Sequence, residues 1–131
     1  MFLNRLDSEE KVAFLKLAHY LARVDGNFSD EEIETINTYC MEMQMEDIEY
    51  NENSFVLDET LNIIKNDENK KIVLLEIMAL VYSDGLDEKE EKILNIIAKK
   101  YNISSALFTV YSEWSKAILA IVTQGQALIS L

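Results

Sequence analysis

The chain has no proline, three glycines, one cysteine and one histidine among its 131 residues. With so few breakers there is little to stop a helix or force a turn, which favours a mostly helical chain. A single cysteine, Cys40, excludes an intramolecular disulfide and suits a reducing compartment. Basic residues are also scarce: twelve Lys and Arg stand against twenty-four Asp and Glu, a net charge of −12. That charge repels nucleic acid and anionic membranes, and leaves cations and basic protein surfaces as better partners. Long apolar runs are missing too. Residues 1–7 lack the apolar region and cleavage site of a signal peptide. The most apolar stretch, Ala117 to Leu131, is interrupted by Thr123, Gln124 and Gln126. It is shorter than the roughly 18 apolar residues a membrane span needs. One cytoplasmic domain over residues 1–131 is the expectation.

What is present is helical periodicity around two related elbows. Asp25-Gly26-Asn27-Phe28-Ser29-Asp30-Glu31-Glu32 and Asp84-Gly85-Leu86-Asp87-Glu88-Lys89-Glu90-Glu91 each follow one apolar helical run and open another. Gly is suited to the position just past a helix end, where φ is positive. Ser29 with Glu32, and Asp87 with Glu90, have the spacing of a capping box, as does Asp7 with Glu10.

The spacing predicts a helix from about 8 to 24, and a second from Ser29 to near Glu46 with Ile33, Ile36, Tyr39, Cys40 and Met43 on one face. Residues 46–53 read as a loop. A short helix capped by Asn53 or Ser54 then holds Phe55 to Ile64. After a capped turn at 66–69 comes a helix apolar on nearly all sides, Ile72 to Val81, which belongs at the centre of a bundle. Another runs from the second elbow to near Asn102. Ser104 or Ser105 caps the last helix, where Leu107, Tyr111, Trp114, Ile118 and Ile121 form a stripe spaced by 4, 3, 4 and 3 that reads as core. Gly125 is a candidate stop or kink. The tail Ala127–Leu131 is apolar enough to dock on the body or on a partner. Setting Leu21 on Leu80, Asp25 on Asp84 and Gly26 on Gly85, with one residue skipped, aligns Ile36 with Leu94 and Cys40 with Ala98. The fold class is therefore all-α: two related helix hairpins, an inserted short helix and a closing C-terminal helix.

The segment Ala22-x-x-Asp25-Gly26-x-Phe28-Ser29-x-x-Glu32 resembles the signature of the TerB-like tellurite-resistance family, over about residues 8–105. The resemblance implies an all-helical domain, a cytoplasmic stress-linked role as an accessory or interaction module rather than an enzyme, and a metal site built from acidic residues at the two elbows. The second elbow is one residue shorter than the pattern, which leaves Glu90 and Glu91 as alternatives there.

The residues themselves carry a candidate site. Asp25 and Asp84 each sit at the negative end of a helix dipole, at a cost of about 0.3–1 kcal/mol, and a local rule broken twice at equivalent positions suggests function. The candidate metal ligands are Asp25, Asp84, Glu32 and Glu90, with Ca, Mg or Mn as the cation. The structural alternative is that each Asp accepts backbone N–H groups of its own elbow, and that each Glu serves only its cap. An EF-hand is excluded: with Glu32 twelfth, the first and third positions are Leu21 and Arg23, which supply no carboxylate. The sulfurs of Cys40, Met41, Met43 and Met45 do not converge at this spacing and read as core filling. His19 with Cys40 is the one conceivable thiol–imidazole pair. Two functions remain in view: a cation-binding module with a protein partner, or a metal-free acidic interaction module of the inhibitor or immunity type.

Overall fold

The computed structural model describes residues 1–83, 85 and 87–131. A 3-10 turn at Leu3–Arg5 leads into α1 (Ser8–Arg23), α2 (Asp30–Met43), α3 (Leu57–Asn62), α4 (Asp67–Ser83), α5 (Glu88–Lys100) and α6 (Ser105–Ile129), with no strand among the described residues. The all-α bundle is the expected fold class.

Local chemistry starts the helices where the sequence places them. Asp7 accepts from the Glu10 N–H at 2.8 Å while Glu10 accepts from the Asp7 N–H at 3.0 Å, a complete capping box for α1. Ser29 and Glu32 repeat that exchange at the start of α2. The α3 start differs from expectation: its N-cap is Val56, which makes no side-chain cap bond. The end of α2 also comes earlier than the periodicity suggests, while α5 closes at Asn102 as expected. Gln44 takes a left-handed φ of 54° and Met45 donates back to the Cys40 carbonyl at 3.1 Å, closing α2 before Glu46. Asn102 does the same for α5 at φ 57°, with Ile103 donating to the Ala98 carbonyl at 2.9 Å. Such a closure satisfies end carbonyls without glycine, so composition does not announce it.

Helix α4 is the centre. It packs against α1, α2, α5 and α6, and Ile72, Val73, Leu74, Ile77, Met78, Leu80 and Val81 are all buried. The two hairpins, α1–α2 and α4–α5, each pack internally, and α3 lies on α1. Tyr39 locks α2 to α4 by donating to the Glu76 carbonyl at 2.9 Å. Tyr101 fixes the end of α5 to α3 through the Leu61 carbonyl at 2.9 Å.

Two faces depart from the sequence reading. Ile33 is exposed rather than core. In α6 the fully buried residues are Ser112 and Ser115; of the expected stripe Leu107 and Tyr111 pack against the core and Trp114 lies 6.3 Å from the Phe2 ring, while Trp114 and Ile121 are 38% and 61% exposed. The serines are small, so α6 approaches α4 closely along them, and the Ser112 hydroxyl meets the Tyr82 hydroxyl at 2.7 Å. The tail does not dock on the body, and α6 runs unbroken through Gly125. No described helix is long and apolar enough to cross a membrane.

Candidate metal centre at the elbows

In the first elbow Gly26 has φ 80°, and its N–H donates to the Arg23 carbonyl at 3.0 Å. The turn aims Asp25 outward, where its Oδ1 accepts from the Asn27 N–H at 2.9 Å. This is the Asx-turn anticipated as the structural alternative. Gly85 adopts φ 85° at the matching place in the second elbow. A Cβ at either glycine would meet no described residue within 4 Å, and the positive φ is what selects glycine.

The elbows diverge at their caps. Asp87 is the N-cap of α5 and its carbonyl accepts from the Glu91 N–H at 3.0 Å, but its carboxylate makes no cap bond. The expected Asp87–Glu90 capping box does not form. Instead the carboxylates of Asp87 and Glu90 come together with that of Asp25, with potential ligand oxygens from the three all within 4.8 Å of one another. Asp25 is exposed, Asp87 half-buried and Glu90 buried. One oxygen of Asp87, Oδ2, is buried with no hydrogen-bond partner among the described residues.

Of the four expected ligands, Asp25 and Glu90 are thus brought together across the hairpins. Glu32 is buried and engaged with Ser29: one of its oxygens accepts from the Ser29 N–H at 3.0 Å and hydroxyl at 3.1 Å. It is not one of the three clustered residues. Asp84 lies outside the described residues. Asp87 is the third member of the cluster, a residue the sequence reading assigned to a cap. Its capping-box spacing offered a complete structural role, and only the failure of that box frees the carboxylate to face Asp25.

Three carboxylates this close repel. A pair of unit charges 4 Å apart costs about 1 kcal/mol in water and about 4 kcal/mol near a protein surface. A divalent cation reverses the sign of that interaction. Three carboxylates offer up to six oxygens, and carboxylate and water oxygens suit Ca²⁺, Mg²⁺ or Mn²⁺.

A second polar cluster sits between α1 and the loop after α2. Arg23 Nη1 donates to His19 Nδ1 at 2.7 Å, which places the ring proton on Nε2, and Nε2 donates to the Asp47 carboxylate at 2.8 and 3.0 Å. Phe28 and Tyr50 flank the Arg23 guanidinium at 4.1 and 4.9 Å. Cys40 is nearby and buried. Burial and the neighbouring Asp47 carboxylate push its thiol up to about 11. With both imidazole nitrogens engaged and Cys40 held as a thiol, these two residues do not form an activated nucleophile.

Fold and site together define an all-helical bundle with a cross-hairpin carboxylate cluster. No protein-family model matches the chain, and no curated protein or solved structure matches it.

Proposed function

We propose that this chain is a non-enzymatic TerB-like module of the stress or tellurite-resistance type, acting in the cytoplasm, that binds one divalent cation at its elbows and works through a protein partner. The observation that carries the reading is the buried Oδ2 of Asp87, without a partner among the described residues, inside a three-carboxylate cluster. A buried polar atom without a partner is costly, and a cation would satisfy it while relieving the repulsion around it. The family resemblance at Asp25-Gly26-x-Phe28-Ser29 points the same way. A protein partner is favoured by the acidic surface, for which a basic protein face is the natural complement.

Thermal unfolding tests this, in chelator and with Ca²⁺, Mg²⁺ or Mn²⁺ added. An ion at about 100 times its Kd adds about 2.7 kcal/mol of stability, a rise of several degrees for a chain of this size. Asp25→Asn or Asp87→Asn should each remove most of that rise, and the double substitution should remove little more. Additive losses would instead mean separate sites. In chelator the same changes should be neutral or stabilising, since they relieve repulsion.

The metal-free acidic interaction module stays as a second reading, because the Asn27 N–H already gives Asp25 a structural partner. Identical melting curves with and without every ion would select it.

A further inference from the structure

The distal half of α6 is an unpartnered apolar surface: Ile121, Val122, Leu128 and Ile129 are 61%, 52%, 68% and 87% exposed. Monomeric proteins seldom leave so contiguous a patch uncovered. We propose that this surface is a self-association site whose occupant is α6 of a second copy, packed antiparallel.

Three observations choose that occupant. The first is spacing. The stripe Leu107, Tyr111, Trp114, Ile118, Ile121 continues through Gly125 and Leu128 at intervals of 4 and 3, the heptad pattern by which one helix receives another. The second is Gly125. It lies inside α6, outside the positive-φ residues, and a Cβ there would meet nothing within 4 Å. No described residue requires a glycine there, and a glycine inside a helix is less stable than alanine. A bulky group arriving from outside gives it a reason. When Ile118 of one copy stands opposite Ile121 of the other, the antiparallel register sets Trp114 opposite Gly125. A twofold axis then repeats both pairs, so the surface is self-complementary.

The third is charge. All 24 acidic and 12 basic side chains precede Ala117. The distal helix is the one neutral extension of a strongly acidic body, where two copies can meet without like-charge repulsion. In this register Lys116 of one copy lies level with Thr123 of the other, so antiparallel packing sets the charged ends of the two bodies about 10 Å apart along the axis and each against a neutral segment, whereas parallel packing would set them side by side. A membrane surface fits less well, because helices that lie on membranes carry Lys or Arg on their polar face and this segment has none.

Sedimentation velocity of the full chain from about 1 to 200 μM reads out the association directly. The expected result is a concentration-dependent dimer. Because Trp114 is the single tryptophan, its emission should shift to the blue as the dimer forms. Ile121→Glu alters an exposed position and should leave far-UV circular dichroism unchanged, while placing two carboxylates near the twofold and weakening the dimer at least tenfold. Gly125→Ala should raise the melting temperature of the dilute monomer, yet weaken association about tenfold by filling the space opposite Trp114. A wild-type monomer across the whole range would overturn the proposal. So would a dimer that survives Ile121→Glu, a dimer strengthened by Gly125→Ala, or a Trp114 emission that ignores dimerisation.

Discussion

Single residues show how context overrides type. Cys40 and His19 are the only residues that could make a thiol–imidazole pair, yet burial first and the Asp47 carboxylate second hold Cys40 neutral, and Asp47 also engages His19 Nε2. The consequence for stability follows from linkage. The folded state keeps its thiol protonated to about pH 11, while the unfolded chain loses that proton near the ordinary value of 9. Between those values the unfolded state binds fewer protons, so stability falls as pH rises. Burial first, and then neighbouring carboxylates, also raise Tyr39 and Tyr101, which steepens the loss above pH 10. Urea midpoints measured from pH 8 to 11 should therefore decline from about pH 9 in wild type. In Cys40→Ala the decline should begin only where the tyrosines titrate. An unchanged onset would show that Cys40 is not held as described.

At the scale of elements, the two elbows compare a formed cap with an unformed one. Ser29→Ala removes a hydroxyl that accepts from the Glu32 N–H at 3.1 Å, and should cost about 1 kcal/mol. Asp87→Ala removes a carboxylate that makes no cap bond and sits among like charges, so in chelator it should be neutral or stabilising. Chemical denaturation of both variants gives the comparison, and an equal loss in each would mean that Asp87 does cap α5. The same elements show what the sequence could disclose. The elbows, the glycines at 26 and 85, and the caps at Asp7 and Ser29 were legible because backbone chemistry there depends on neighbours in sequence. The centrality of α4 was legible because its apolar residues surround the helix. Asp87 was not, since its spacing satisfies a capping box and only tertiary placement brings it to Asp25. The exposed face of α6 was not either. A period of 4 and 3 reports that a stripe exists, but not where its cover ends: Leu107 and Tyr111 pack on the core, whereas Ile121 and Leu128 lie beyond it.

At the scale of the whole molecule, the acidic excess acts on every equilibrium at once. Self-repulsion destabilises a compact state of charge −12, and added salt shortens its range from about 30 Å at 0.01 M to about 10 Å at 0.1 M and about 3 Å at 1 M. Monovalent salt should therefore raise the melting temperature gradually, with no saturation at a fixed stoichiometry. A cation held by Asp25, Asp87 and Glu90 should behave differently: its effect should saturate, discriminate among divalent ions, and persist in a background of about 0.1 M salt where long-range repulsion is already screened. Asp87→Asn separates the two effects. It removes one of twenty-four acidic charges, so the response to NaCl should barely change while the divalent response is largely lost. If divalent ions only reproduce the NaCl curve at lower concentration, in wild type and variant alike, they act on the charge of the whole molecule and the elbows hold no specific cation.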